Sequence, residues 1–281
     1  MIYAASNIAW PYAQRREAYS LLSAAGFRGL EIAPSLFFAD EADPFLPSLS
    51  EKKRALTEIQ DAGLSLVSMQ SLLFGVQGAA LFEGPVAMHK LEIGILRAID
   101  LAGDIGIPNL VFGSPRQRVR PEGMEESVAI EIAMEVFSRL GDRAAQAETV
   151  IAIEANPTLY GTNFLTDAFS ALAFVSQLRH PNVRFILDLG ERHVNSAMDE
   201  LPELLNSCTS SLSHIHISEP QLAVAPADAV VFAKALQLIS DAGYSRSISI
   251  EMSANKDDPL AQLEIALTRV NSSRELLRRS G

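Results

Sequence analysis

Short apolar runs alternate with longer amphipathic segments along the whole chain. Eight of the runs have the length and residue types of strands, and they lie at Ile2–Ile8, Gly29–Ile32, Leu64–Gln70, Asn109–Phe112, Val150–Glu154, Arg184–Asp188, Leu212–Ile217 and Ser247–Met252. Helix-like segments follow them at Arg15–Ala25, Glu51–Ala62, Val86–Ile105, Glu125–Ala147, Asp167–Leu178, Glu203–Asn206, Ala227–Ala242 and Pro259–Leu277. Eight strands, each followed by a helix, predict an α/β fold in which parallel strands with right-handed crossovers close into a (β/α)8 TIM barrel.

The junctions between helices and strands agree with this fold. Gly26, Gly63, Gly106 and Gly243 each follow a helix-like segment and precede a strand, as a helix-ending glycine does. No low-complexity tract or linker interrupts the pattern, so we predict a single domain over residues 1–281. An open doubly wound sheet is the alternative, although the first strand lacks the Gly-x-Gly-x-x-Gly of its usual nucleotide site.

Composition narrows the classes of partner. The formal net charge of −11 argues against nucleic acid and an anionic membrane surface, because both attract clustered Lys and Arg. No window approaches ~18 uninterrupted apolar residues, and the amino terminus lacks the basic start and long apolar stretch of a secretory signal. We therefore predict a cytoplasmic protein. The single cysteine, Cys208, fits a reducing compartment and is predicted to pack as a small apolar residue.

Four consecutive strand-like runs end on residues that bind divalent metals. Glu154, Asp188, His216 and Glu251 follow one another at intervals of 34, 28 and 35 residues, about one βα unit. The carboxyl ends of barrel strands converge on one mouth, and strand alternation lets all four side chains point inward. One such Glu is more commonly a helix cap or an ion-pair partner. All four together predict a site for one divalent cation, Mn²⁺, Mg²⁺, Co²⁺ or Zn²⁺, with His214 as an interior neighbour.

Further polar and aromatic residues follow the first strands and can reach the same mouth. Glu31 and Gln70, after strands two and three, are candidate substrate contacts. Trp10 and Phe74 supply an apolar wall against a sugar face or simply pack. Asn156 is a candidate for binding a substrate hydroxyl, although Asn-Pro also forms turns.

Three arginines follow strand four. Arg116 is the best candidate for binding an anionic group on the substrate, with Arg118 and Arg120 behind it. The alternative is that all three decorate a solvated loop. No glycine-rich phosphate cradle is evident, so the motifs do not favour a phosphorylated substrate over an unphosphorylated one.

A resemblance to a known family runs over essentially the whole chain. It rests on the ordered segments Ser6-Asn-Ile-Ala-Trp10, Gly29-Leu-Glu-Ile-Ala-Pro34, Met69-Gln-Ser-Leu-Leu73, Phe112-Gly-Ser-Pro-Arg116, Ile153-Glu-Ala-Asn-Pro157, Leu187-Asp-Leu-Gly190, His214-Ile-His-Ile-Ser-Glu-Pro220 and Ile250-Glu251. The chain resembles the sugar phosphate isomerase/epimerase family of the xylose isomerase-like barrel superfamily, including ketose 3-epimerases and inosose dehydratases. Endonuclease IV is a more distant relative.

The resemblance implies a metal-dependent enzyme. In the ketose epimerases a Glu, an Asp, a His and a Glu hold the metal, and these fall on Glu154, Asp188, His216 and Glu251. Glu154 and Glu251 are then the catalytic pair: one removes a proton next to a carbonyl to give an enediolate, and the other returns it. A small sugar-like molecule is the expected substrate, and a homodimer is an open alternative to a monomer.

The chain departs from the ketose epimerases at three substrate contacts. Tyr160, Leu222 and Glu191 stand where those enzymes carry Glu, Arg and His, and His193 lies two residues beyond Glu191 as a replacement candidate. A free ketohexose is therefore a doubtful substrate. The alternatives are a dehydratase of an inosose-like cyclic polyol ketone and a non-catalytic sugar-binding barrel. A nuclease like endonuclease IV would need more histidines than this chain supplies.

Overall fold

Eight parallel strands close into a barrel in which each strand pairs with the next and the last pairs with the first. The computed structural model describes residues 1–254 and 257–280. Its strands, β1 to β8 in chain order, are Ile2–Ser6, Gly29–Ile32, Ser65–Met69, Asn109–Phe112, Val150–Glu154, Val183–Asp188, Leu212–Ile217 and Ser247–Ile250. The predicted (β/α)8 barrel is therefore confirmed.

Helices surround the barrel and connect its strands. The α-helices of the described residues, α1 to α10 in chain order, are Arg15–Ala24, Pro34–Phe37, Leu49–Asp61, Pro85–Ile105, Glu126–Gln146, Ala168–Leu178, Leu189–Val194, Leu201–Cys208, Ala229–Asp241 and Pro259–Ser280. The helix-ending role of Gly106 is confirmed, because its φ of 73° is left-handed and its N–H bonds to the carbonyl of Ala102. No helix in the described ranges has both the length and the apolarity needed to cross a membrane.

Several observed elements differ from the predicted ones. The first strand ends at Ser6 instead of Ile8, because Asn7–Ala9 turns into a 3-10 helix, and the Ser6 hydroxyl accepts a hydrogen bond from the N–H of Ile8. The eighth strand ends before Glu251 and Met252. The short helices α2 and α7, of four and six residues, were not predicted because neither is long enough to show a helical repeat.

The apolar core divides into an outer and an inner part. The larger cluster lies between the sheet and the helices and contains the outward-facing Ile248 and Ile250 of β8, as strand alternation predicts. Cys208 also belongs to it, and burial raises the pKa of its thiol to about 11. Inside the barrel a separate small cluster contains Val111, Ala152 and Ile186, on β4 to β6. The interior also holds polar side chains, among them the fully buried Glu31, His214 and His216.

Two register shifts set which interior side chains lie beside one another. Between β6 and β7 the pairing passes from Phe185 with Leu212 to Ile186 with His214, so Ser213 is an extra residue and Asp188 comes to lie beside His216. An extra residue on β3 likewise places Glu31 of β2 beside Ser68. Because a shift of one residue moves a side chain to the other face of the sheet, both shifts decide what reaches the mouth.

Candidate metal centre and active site

The four predicted metal ligands lie at the carboxyl ends of β5 to β8. Glu154 and Asp188 are the last residues of β5 and β6, His216 is the penultimate residue of β7, and Glu251 directly follows β8. Asp188 and His216 are paired in the barrel register. We call these four residues the carboxylate–histidine cluster. Their convergence is the geometry that the spacing of the strands predicts, whereas their role in binding metal stays a prediction.

His216 is at the centre of this cluster. Its Nδ1 lies 3.1 Å from Glu154 Oε1 and 3.1 Å from Glu251 Oε2. The imidazole is fully buried, whereas Glu154 and Glu251 are 8% and 9% exposed. Ligand atoms of these three residues all fall within 4.8 Å of one another, close enough for one ion to contact all three.

Asp188 stands beside this compact group and is partly exposed. Its Oδ1 accepts hydrogen bonds from the backbone N–H of Gly190, at 2.9 Å, and from the hydroxyl of Ser218. Burial, together with the nearby Glu154 and Glu251 carboxylates, raises the pKa of the Asp188 carboxyl to about 8. A carboxyl that takes up a proton near neutral pH indicates a site with more negative charge than its own residues balance.

The imidazole of His216 supplies part of the balancing charge. Burial alone would lower the pKa of His216, but Glu251 and Glu31 hold it well above its ordinary value. Burial raises the pKa of Glu251 despite the attraction of His216. A divalent cation fits this site, because carboxylate oxygens and one imidazole nitrogen are the donors that Mn²⁺, Mg²⁺, Co²⁺ and Zn²⁺ accept.

A second set of polar side chains lies below the cluster, inside the barrel. Glu31 is fully buried and lies 3.1 Å from the Nε2 atoms of both His216 and His214. Gln70 Nε2 donates to Glu31 Oε1 at 2.8 Å and to the hydroxyl of Ser6 at 2.8 Å. These contacts hold Glu31 ionised: burial would raise its pKa, but the charge of His216 keeps it well below the ordinary value.

His214 completes this set. Its ring nitrogens lie 2.9 Å from the hydroxyl of Ser247 and 2.8 Å from that of Ser249. Burial lowers the pKa of His214, whereas the neighbouring carboxylates raise the pKa of His216. We define the supporting network as Ser6, Glu31, Gln70, His214, Ser247 and Ser249. The predicted interior position of His214 agrees with these contacts, and the matching His-x-His and Ser-x-Ser spacing on β7 and β8 was the signal for them.

A cavity of about 220 Å³ opens beside the cluster. Its lining residues are Gln70, Ser71, Val111, Gly113, Ser114, Glu154 and Glu251. Ser71 and Ser114 have left-handed backbones, with φ values of 59° and 43°. Non-glycine residues in this region are strained, and such residues gather at functional sites. Both of the predicted catalytic carboxylates therefore border one small, strained cavity.

The other predicted substrate contacts are more scattered. Arg116 is exposed on a short 3-10 helix, Pro115–Arg118, that follows β4. Trp10 is buried and packs edge-to-face against Tyr19, with ring centroids 6.3 Å apart. His193 is partly buried on α7 and lines a separate cavity of about 280 Å³. The roles of these residues, and the direct substrate contacts predicted for Glu31 and Gln70, stay predictions.

The substitutions at the ketose epimerase contacts have structural consequences. Glu191 is buried and forms two 2.6 Å hydrogen bonds with the guanidinium of the equally buried Arg192. The Tyr160 hydroxyl accepts a hydrogen bond from the backbone N–H of Gln221 at 3.0 Å. Arg118 is fully buried, so the expectation of a solvated arginine loop is wrong for this residue. The sequence pattern does not distinguish Arg118 from Arg116 and Arg120 on either side, although both of those are more exposed in the structure.

Comparisons with known proteins agree with this architecture. A family model described as xylose isomerase-like TIM barrel matches residues 19–273. A ketose 3-epimerase from Arthrobacter globiformis is 23% identical over 215 residues, which are 74% of this chain and 70% of that protein.

Two solved structures share the fold over nearly their whole length. A 3-keto-D-glucoside 4-epimerase from E. coli aligns with a TM-score of 0.77 and 15% identity, over 97% of this chain and 99% of its own. D-Psicose 3-epimerase from Clostridium cellulolyticum H10 aligns with a TM-score of 0.75 and 16% identity, over 99% of each chain. Because the family model covers most of the sequence, the chain belongs to the xylose isomerase-like TIM barrel family.

Proposed function

We propose that this protein is a divalent-metal-dependent isomerase or epimerase that acts on a sugar or a related polyhydroxy carbonyl compound. One observation carries the proposal: Nδ1 of His216 lies 3.1 Å from a carboxylate oxygen of Glu154 and 3.1 Å from one of Glu251. Both carboxylates also border the cavity at the mouth. Two carboxylates and an imidazole at one point form a metal site and an acid–base pair together.

The carboxylate–histidine cluster would hold the cation, with Asp188 as the fourth ligand. When bound, the cation supplies Lewis-acid polarisation of a substrate carbonyl, which acidifies the neighbouring C–H. Nδ1 of His216 and the Asp188 carboxyl would have to be deprotonated to hold the cation, because a ligand atom binds through a free lone pair.

The chain's own contribution to the reaction is proton transfer. One of Glu154 and Glu251 removes a proton from the carbon next to the carbonyl, and the other returns a proton. Return to the opposite face of that carbon gives an epimer, and return to the neighbouring carbon gives an isomer. Burial raises the pKa of Glu251, and a raised pKa makes a carboxylate a stronger base for proton removal.

Glu31 is proposed to act through His216. A metal-binding histidine commonly donates its second ring N–H to a carboxylate, which fixes the tautomer and the orientation of the ring. Glu31, 3.1 Å from Nε2 of His216, is placed to accept that hydrogen bond. It thereby directs the Nδ1 lone pair towards Glu154 and Glu251. This indirect role explains the full burial of Glu31 better than the predicted direct contact with substrate does.

The size and lining of the site support a small, polar substrate. A cavity of about 220 Å³ is below the ~300–1,000 Å³ typical of drug-sized ligands. The similar proteins are named for ketose and keto-glucoside epimerisation, which supports a carbonyl-containing sugar. The ion pair between Glu191 and Arg192 leaves Glu191 no free carboxylate oxygen for substrate, so a ketohexose held by the ketose epimerase contacts is disfavoured.

The proposal is tested first by metal content and then by proton exchange. Purified protein is expected to hold about one equivalent of Mn, Co, Mg or Zn, and His216→Ala is expected to lose it. His89→Ala, which changes an exposed histidine on α4, is the matched control. Ketoses and inososes are then screened in D₂O for deuterium uptake at the carbon next to the carbonyl.

The products distinguish the alternatives. An epimer or isomer supports the proposed reaction, whereas loss of water from an inosose identifies a dehydratase that begins with the same proton removal. No cation bound, even after loading with divalent metals, would overturn the proposal and favour the non-catalytic sugar-binding barrel. The cytoplasmic location, the single domain over residues 1–281, the absence of nucleic-acid and membrane partners and the homodimer stay predictions.

A further inference from the structure

Arg118 is a buried cation without a direct carboxylate partner in its hydrogen bonding. It ends the 3-10 helix after β4 and is fully buried. Its Nη2 donates to Asn156 Oδ1 at 2.7 Å, whereas Nε and Nη1 have no hydrogen-bond partner among the described residues. Burial lowers the pKa of this guanidinium to about 10, and Glu154 is the charge that counteracts the shift. Burying a charge with so few hydrogen bonds is energetically costly, which points to a role for Arg118 in this position.

Arg118 determines which way the Asn156 amide faces. A guanidinium only donates hydrogen bonds, so the Asn156 oxygen must face it and the Asn156 nitrogen must face the other way. That nitrogen, Nδ2, donates to Glu154 Oε2 at 3.0 Å. A flipped amide would set two donors against each other at Arg118 and two acceptors against each other at Glu154.

Gly113 also restricts how the Glu154 carboxylate is oriented. A Cβ atom at Gly113 would lie 2.3 Å from Glu154 Oε2, so the absence of a side chain there makes room for this oxygen. With Oε2 held between Asn156 and Gly113, Oε1 is the oxygen that lies 3.1 Å from Nδ1 of His216. Glu154 Oε2 is thus flanked by Gly113 of the loop after β4 and by Asn156 of the loop after β5.

We propose that Arg118, acting through Asn156, is a positioning residue that holds the Glu154 carboxylate with Oε1 directed towards His216. The inference rests on the proposed function, in which Glu154 is a metal ligand and a proton-transfer group. Loss of either Arg118 or Asn156 would free the Glu154 carboxylate to rotate. Outer contacts of this kind, when removed, commonly reduce metal affinity or activity by about 10–100-fold.

Two substitutions test the contacts that run from Arg118 through Asn156 to Glu154. For both of them, positioning and simple electrostatics predict opposite changes in cation affinity. Arg118→Met removes a positive charge near Glu154, and Asn156→Asp adds a negative charge while keeping an acceptor for Arg118. If only charge mattered, both changes would strengthen cation binding, because each makes the site more negative. If positioning matters, both changes weaken cation binding, because the Glu154 carboxylate is no longer held in place. We expect cation affinity, measured by competition with a chromophoric chelator, to fall about 10–100-fold in each variant.

Stability and kinetics separate positioning from a general structural role. Arg118 Nε and Nη1 are buried without a hydrogen-bond partner among the described residues, and burying such groups is costly, so the metal-free Arg118→Met variant is expected to melt no lower than the parent. At saturating cation, kcat is expected to fall while KM changes little. Asn206→Asp makes the same chemical change at an exposed position on α8 and is the control for added charge.

Crystals of the metal-free Asn156→Asp variant give a readout that needs no cation. The positioning role predicts that Glu154 Oε1 moves away from Nδ1 of His216 in the variant. Unchanged carboxylate geometry, or cation binding as tight as in the parent, would overturn the inference. If the parent protein binds no cation, the proposed function fails, and the carboxylate geometry in these crystals still decides whether Arg118 and Asn156 position Glu154.

Discussion

The β5–β8 half and the β1–β4 half of the barrel mouth differ in what they contribute to the candidate site. The β5–β8 half carries the carboxylate–histidine cluster at its strand ends. The β1–β4 half presents side chains that contact those residues from below or from the side: Glu31 lies 3.1 Å from His216, and Gly113 makes room for the Glu154 carboxylate. One half supplies candidate donor atoms, and the other orients them. A site of this kind depends on contacts across the barrel as much as on the ligands themselves.

The barrel interior is divided along different strands. Val111, Ala152 and Ile186, on β4 to β6, form an ordinary small apolar cluster, as barrel interiors usually do. The supporting network instead comes from β1, β2, β7 and β8 and from Gln70 directly after β3. Buried polar groups are costly unless each finds a partner, and within the described residues every member of this network makes a hydrogen bond. This costly arrangement is the one that holds His216.

The largest effect is expected from the ligand half. Glu251→Gln keeps the size of the side chain but removes its ability to accept a proton, so turnover at saturating cation is expected to fall by about 10²–10⁴-fold. Initial rates on the substrate found by the deuterium screen measure this. Glu264→Gln, at an exposed position on α10, is the matched control. Full activity of Glu251→Gln would remove this residue from the mechanism.

A smaller effect is expected from the supporting half. Glu31→Gln replaces the carboxylate beside Nε2 of His216 by a neutral amide, which no longer fixes the imidazole tautomer. Cation affinity is expected to fall by about 10–100-fold, as measured by chelator competition. Glu17→Gln, an exposed change on α1, is the control. Unaltered affinity would mean that the two halves are not coupled and that Glu31 merely fills the interior.

The sequence predicts the ligand half much better than the supporting half. Glu154, Asp188, His216 and Glu251 end strands at regular intervals, so the barrel period and strand alternation suffice to bring them together. The contact of Glu31 with His216 instead joins residues 185 positions apart.

Register shifts explain the difference in physical terms. An extra residue on β3 sets the neighbours of Glu31, and Ser213 does the same for His216. A bulge of this kind is settled by packing and hydrogen bonding in three dimensions and leaves no mark in the alternation of apolar and polar positions. The burial of Arg118 escaped prediction for a similar reason, since it depends on Asn156 in a different loop.

The charge imbalance between the halves predicts how the metal-free protein responds to pH. We expect its free energy of unfolding to fall between about pH 7 and about pH 8. Asp188, with a pKa raised from 3.8 to about 8, holds a proton that the unfolded chain has already released, so its stabilisation is lost progressively up to about pH 8 and no longer changes above it. The raised pKa of His216 acts in the same direction. The lowered pKa values of Glu31 and His214 act below this window.

Urea unfolding in the presence of a chelator measures this slope. Each group contributes up to about a tenfold change in the unfolding equilibrium constant per pH unit. Asp188→Asn removes one titrating group and should flatten the slope, and saturating divalent cation should abolish most of it, because the cation-bound site has already released these protons. Stability that rises with pH in the chelated protein would contradict the charge imbalance.

The smallest effect tests whether the β1–β4 half also contacts substrate directly. Arg116 is the exposed residue of that half predicted to bind an anionic group. Because an exposed ion pair contributes about 0.2–1 kcal/mol, Arg116→Ala is expected to raise KM by about two- to fivefold and to leave kcat and cation affinity unchanged. Arg278→Ala, an exposed change in the last turn of α10, controls for the lost charge.

The salt dependence of KM sharpens this last prediction. Screening weakens an exposed charge pair, so raising the salt concentration should raise KM for the parent protein and narrow its difference from Arg116→Ala. An unchanged KM for Arg116→Ala at low salt would show that Arg116 does not contact substrate. The β1–β4 half would then act on the reaction only through the side chains that it orients, and the division between the two halves would be complete.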